Sequence, residues 1–222
     1  MAFYVRKWQT SVVVMFFVNK VFGLLKKINI FVRFHKLIYL ITPYTNLKKN
    51  DMKKLSFALG SAYTALLAFI IVCIDQVLKP FMPIGAESGF TYIAFVAWAV
   101  YFFSGCTGKG GIRAAIGYVV GVSFSIGIIL IAGLFACTPF FCVPIAVFIV
   151  VFFVLYLEKV PWIDLIPAMF VASGCFFGIM TYVPGATFGT AATVELIYGF
   201  IGLLFGWITI TGKGLIAKAI EK

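Results

Sequence analysis

Charge is the scarcest resource in this sequence. Only 11% of its 222 residues are Asp, Glu, Lys or Arg, seven of them acidic, and there is a single histidine, His35. With so few polar groups the chain cannot cover a soluble domain of this size. No HExxH, no paired carboxylates and no Cys/His cluster is present, so metal and hydrolytic chemistry lack their usual residues. Thr107-Gly108-Lys109-Gly110 recurs as Thr211-Gly212-Lys213-Gly214. Neither copy satisfies the phosphate-binding GxxxxGK[ST], and both read as helix ends with a headgroup-anchoring lysine. The five cysteines (Cys73, Cys106, Cys137, Cys142 and Cys175) form no CxxC, and an odd number cannot all pair within one chain. Cys137 and Cys142 flank an outer turn where a disulfide would fit, but free thiols are favoured. The chain is therefore read as neither an enzyme nor a cofactor protein.

What the chain has instead is apolar length. Hydrophobic residues make up 63%, mean hydropathy is +1.11, and apolar runs cover roughly 55–78, 90–104, 112–136, 139–157, 163–183 and 189–211. A bilayer core calls for about 20 such residues per helix. The alternation expected of outer-membrane strands is missing. Basic residues fall in every second gap: Lys53 and Lys54 before the first run, Lys109 and Arg113 after the second, Lys159 after the fourth, Lys213 and Lys218 after the sixth. Lys and Arg mark cytoplasmic loops. The expected fold is an all-α integral membrane bundle of six transmembrane helices with both termini cytoplasmic.

The net charge of +11 does not indicate nucleic acid, because the basic residues follow the gaps and make no patch with interleaved stacking residues. The bilayer and its anionic headgroups are the expected partner. Residues 1–51 differ from the rest. They hold nine of the 18 basic residues but one of the 21 glycines. They lack a cleavage site after their short apolar run, so they do not read as a signal peptide. Two readings stand: an interfacial basic arm, or non-native upstream sequence ahead of a start at Met52, slightly favoured. The transmembrane domain is 52–222, whose net charge is +3 (nine basic residues, six acidic).

Helices in lipid pack closely through small residues. Gly117 and Gly121 in the third run, Gly174 and Gly178 in the fifth, and Gly199, Gly202 and Gly206 in the sixth are the expected packing positions. Glu195 shares the last of these stripes, so it is expected to face the bundle. No Lys or Arg lies within the runs to neutralise it, and an unpaired buried carboxylate is costly. It is therefore protonated, hydrogen-bonded by neighbours such as Tyr198, or facing water. Asp75 ends the first run. The segment 182–190 contains Pro184, Gly185, Thr187 and Gly189 and either dips into the membrane as irregular backbone or makes a tight turn. Glu195, Tyr198, Asp75 and these four are the candidate path-lining residues.

Phe95-Val96-Ala97 in the second run is echoed by Phe170-Val171-Ala172 in the fifth, which allows an inverted 3+3 repeat. The stretch Phe95-Val96-Ala97-Trp98-Ala99-Val100-Tyr101-Phe102-Phe103-Ser104-Gly105 with Gly110-Gly111, and the later Val183-Pro184-Gly185-Ala186-Thr187-Phe188-Gly189, resemble the DUF1097 family of small bacterial inner-membrane proteins. The likeness covers about 55–212 and implies a multi-pass protein of the bacterial cytoplasmic membrane, with no substrate or catalytic residue attached. The expected function is a channel or transporter for a small solute. The alternative is a non-transporting assembly or interaction component. Homo-oligomers are compatible with the exposed glycine faces.

Overall fold

The computed structural model describes residues 49–85, 89–136 and 140–220. The basic segment up to residue 48 lies outside the described residues, and so does Cys137 with its pairing to Cys142. Six α-helices follow in order: α1 (Lys49–Leu78), α2 (Thr91–Phe103), α3 (Gly108–Leu134), α4 (Cys142–Tyr156), α5 (Ile166–Tyr182) and α6 (Phe188–Ile220). Single 3-10 turns, Lys79–Phe81 and Leu157–Lys159, extend α1 and α4. There is no strand among the described residues. Two compact units are distinguished, Met1–Leu59 with Gly214–Lys222, and Gly60–Lys213; all packing below lies within the second.

Among the described residues four helices are long and apolar enough to cross a membrane: Met52–Phe81, Gly108–Leu134, Cys142–Lys159 and Phe188–Ile220. The other two, α2 and α5, have 13 and 17 residues, or about 20 and 26 Å against a hydrocarbon core of about 30 Å. These short helices are nonetheless among the most enclosed. Ile93, Ala94, Ala97, Val100 and Tyr101 of α2 and Ala168, Met169, Ala172, Phe176 and Ile179 of α5 are buried. A helix surrounded by protein need not match the thickness of the lipid, because its ends are satisfied by neighbouring chain. The outer helix α4 is the opposite case. Phe148, Phe152 and Phe153 are exposed along it. Large apolar side chains presented outward in such number suit hydrocarbon, not water.

Close contacts give the helix directions. Gly117 and Gly121 of α3 lie against Ala168 and against Met169 and Ala172 of α5, and Ser125 donates to Ser173 at 2.7 Å. Numbers rise together, so α3 and α5 are parallel. Gly202 lies against Ala94 and Ala97, and Gly206 against Tyr101, so α6 and α2 are parallel as well. By contrast α1 and α6 are antiparallel. Lys213 covers Gly60, the Tyr63 ring fills the space over Gly212, and the Tyr63 hydroxyl donates to the Ile208 carbonyl at 3.2 Å. Gly212 therefore does not end a helix. It lies inside α6, where its missing side chain admits a tyrosine, and α6 runs nine residues beyond the apolar run that ends near 211.

The end of the bundle that holds Gly60 and Lys213 also holds the α2–α3 and α4–α5 connections. Thr107 caps α3 there by accepting the Gly110 N–H at 3.0 Å. Arg113 of α3 binds Asp164, just before α5, through two guanidinium nitrogens, Nε donating to Oδ1 at 2.8 Å and Nη2 donating to Oδ2. The Arg113 guanidinium holds the Asp164 carboxyl below the usual carboxylate range. Beside this pair Lys109 sits over the Trp162 ring at 5.3 Å, a cation–π contact. Of the five Lys and Arg residues between 60 and 213, only Lys79 belongs to the other end.

Candidate functional site

The first half of α6 carries two of the sequence-derived candidates on one face. Glu195 is fully buried (0% exposed), and Tyr198, one turn on, is nearly so. Their positions follow from the helix period. Residues 195, 198, 199, 202 and 206 fall on one stripe, and the glycines of that stripe bring α2 and α3 into contact with the α6 backbone. The Tyr118 ring of α3 lies against Gly199, one turn from Glu195.

The two buried acids of this half of the bundle are treated differently. Asp75, near the end of α1, accepts the Phe90 N–H at 3.0 Å and the Tyr198 hydroxyl at 2.7 Å. Phe90 is the residue before α2, so Asp75 places a negative group at a helix N-terminus, where it is favoured. Gly89 has φ +67° and lies directly against the Asp75 carboxylate, a position where a side chain would collide and the left-handed backbone suits glycine. Asp75 thus ties α1, α2 and α6 together. Tyr198 is committed to this bond and does not serve Glu195.

Neither Glu195 oxygen has a hydrogen-bond partner among the described residues, and the same holds for the buried Tyr118 hydroxyl and the Trp98 indole N–H. Glu195 stands within electrostatic range of Tyr92 on α2, Tyr118 on α3 and Cys175 on α5. Three neighbouring helices thus place protic side chains within electrostatic range of one carboxyl. An isolated carboxylate in such buried surroundings costs several kcal/mol, so the packing favours the neutral acid. Sequence reasoning did not single out Tyr118, Tyr92 or Cys175 for this site, because apolar helices give no signal about which tyrosine faces which neighbour.

The remaining candidates lie elsewhere. Pro184, Gly185, Thr187 and Gly189 are exposed. They form the turn between α5 and α6, with Gly185 at φ +76° and Thr187 and Thr190 exchanging backbone N–H and hydroxyl bonds to start α6. Thr187 is about 12 Å along the axis from Glu195. Among the packing positions, Gly117, Gly121, Gly199, Gly202 and Gly206 each face a neighbouring helix, whereas Gly174 and Gly178 have nothing within 4 Å of where a side chain would begin. Those two open onto the outside of the described bundle. Cys73, Cys106 and Cys175 are free thiols. No group of three His, Cys, Asp or Glu is placed to hold a metal among the described residues.

No curated protein and no solved structure matches this chain. A family model does match. Over residues 61–213, which hold both buried acids, the sequence fits the family described as "Protein of unknown function (DUF1097)", and this membrane protein belongs to that family.

Proposed function

We propose that the chain is a six-span transporter for a small solute in the bacterial cytoplasmic membrane, with Glu195 on its path and both ends of the 60–213 unit on the cytoplasmic side. The observation that carries this reading is Glu195 itself, a fully buried acid with no partner among the described residues at the meeting of α2, α3, α5 and α6. Ionisable residues inside a membrane are costly and commonly mark substrate or ion pathways. The closed packing around it favours a carrier that occludes its site over a standing pore. Four of five basic residues at one end support the orientation.

An inverted repeat of α1–α3 and α4–α6 supports the same reading. Gly202 meets the Ala94 carbonyl and Ala97; Gly121 meets the Met169 carbonyl and Ala172. One offset of 75 takes 94 to 169 and 97 to 172, the offset already seen between the Phe-Val-Ala triplets. The corresponding offset between α3 and α6 is 81, from 121 to 202, and it takes Tyr118 to Gly199, which touch each other. Two antiparallel helices that meet at mutually equivalent residues are related by a two-fold axis through that meeting point. Carriers with inverted halves bind at such a crossing and open alternately to the two sides. The short middle helices α2 and α5 occupy corresponding places in the two halves.

Flux of small neutral and monocarboxylate solutes into liposomes tests the proposal. Protein-bearing vesicles should exceed empty ones for at least one solute, and Glu195→Gln should reduce the difference at least tenfold. Equal flux in both kinds of vesicle across the panel would sink the transport reading. It would favour a non-transporting membrane component, for which the open Gly174 and Gly178 face offers a surface suited to helix–helix association.

A further inference from the structure

We propose that Glu195 and Tyr118 form a proton-binding site on the pseudo-two-fold axis, and that movement of solute through this fold is coupled to the loss and regain of that proton. The inference rests on the transport reading and names its coupling ion.

The contrast between two acids in one bundle carries the argument. Asp75 is buried and satisfied by a backbone N–H and a tyrosine hydroxyl, which is how a structural carboxyl is held. Glu195 is more deeply buried and satisfied by nothing among the described residues. A core position needing only bulk would be filled at lower cost by leucine, and one needing a fixed polar contact would show the contact. Beside it the Tyr118 hydroxyl is equally buried and equally without a partner among the described residues. Tyr118 rests on Gly199, so the unsatisfied pair lies at the crossing that relates the two halves.

A metal cation fits the site poorly. Sodium- or calcium-type sites gather several oxygens around the ion, whereas the Glu195 oxygens have no hydrogen-bond partner and no group of three acidic, thiol or imidazole side chains converges there among the described residues. The groups facing Glu195 are Tyr92 from α2, Tyr118 from α3 and Cys175 from α5. On its own helix Tyr198 is bound to Asp75 of α1. None of these is a cation. A proton is the ion such a site can take without further ligands.

The coupling follows from desolvation. In the closed state Glu195 is a neutral carboxylic acid. When one half swings away and water enters, the acid O–H bond breaks and its proton passes to water. The carboxylate left behind is hydrated and accepts a bond from the Tyr118 hydroxyl. The dry packing cannot reform around that charge until the carboxylate takes a proton back from water on the side then open. Occlusion is thus permitted to the protonated form and refused to the charged one.

Infrared difference spectroscopy on the full chain in lipid tests this directly. At neutral pH the wild type should show a protonated-carboxyl C=O band, absent in Glu195→Gln. The band should shift within minutes of transfer to D2O and vanish on raising the pH. Tyr118→Phe should keep the band and change its titration midpoint. No band specific to Glu195, or a band that neither exchanges nor titrates over hours, overturns the proposal; an unmoved midpoint in Tyr118→Phe removes Tyr118 from it. Failure of transport is separable. If a solute is found, an imposed pH gradient should change its rate of uptake by the wild type at least tenfold relative to uptake at equal pH. Solute flux by the wild type that is indifferent to an imposed pH gradient overturns proton coupling and leaves the transport reading standing.

Discussion

The Tyr198 hydroxyl reaches across 123 residues of sequence to donate to Asp75 at 2.7 Å, leaving Glu195, one turn away on the same helix, without it. That single bond separates a structural acid from an unsatisfied one. Asp75→Ala would orphan the buried Phe90 N–H and the Tyr198 hydroxyl together, at a cost of about 1–3 kcal/mol for each group. Tyr198→Phe leaves one acceptor short and should cost about 1 kcal/mol. Equilibrium unfolding in detergent should show that order. The double substitution should be less damaging than the sum, because both single changes break the same bond.

The glycines divide into two groups with opposite expectations. Gly121→Ala and Gly202→Ala push a methyl into the carbonyls of Met169 and Ala94 and should destabilise by about 1–3 kcal/mol. Gly174→Ala and Gly178→Ala meet open space and should be neutral or stabilise by up to about 1 kcal/mol through helix propensity. Thermal unfolding of the four variants in one detergent compares them. If Gly174→Ala or Gly178→Ala instead lowers a measured oligomer mass, that face joins copies of the chain.

Arg113 and Asp164 give the basic end of the bundle an acid-sensitive tie. The folded carboxyl is held below its ordinary range by the guanidinium. Its contribution is therefore present at neutral pH and is lost as pH falls through the folded carboxyl's range, where the unfolded chain binds the proton first. Asp164→Asn should flatten stability between neutral pH and the acid end of the carboxylate range. Both groups are partly exposed, 31% and 29%, so added salt should weaken the effect in the wild type.

The buried hydrogen bond from Ser125 to Ser173 offers a milder probe of the α3–α5 contact. Ser173→Ala should cost about 1 kcal/mol, less than Gly121→Ala one turn away. Unfolding midpoints measured side by side would settle the ranking between a lost polar contact and a steric clash.

Much of the helix pattern was legible in the sequence, since apolar runs and their gaps are set by hydrocarbon thickness and by where the chain must meet water. The six runs match α1 to α6 apart from their ends. The largest discrepancy is Gly212. Glycine after an apolar run reads as a stop, yet here α6 continues because Tyr63 occupies the space over it. Four helices have spanning length and composition. The run 90–104 already falls short of a full span, as α2 does, whereas 163–183 did not foretell the 17 residues of α5, because a run does not reveal whether its ends face lipid or protein.

The sequence by itself determined the solvent: so little charge and so much apolar length suit a bilayer. It also marked Glu195, because a carboxyl inside an apolar run is costly wherever it points. Which groups answer that carboxyl was decided only in three dimensions. Tyr198 turns to Asp75, while Tyr118, Tyr92 and Cys175 gather near Glu195 from three other helices. The physical reason is that periodicity fixes which residues share a face of one helix, while the register between helices is fixed by where backbones can touch. Here that is at Gly117, Gly121, Gly199, Gly202 and Gly206, and no single run of sequence records both sides of such a contact.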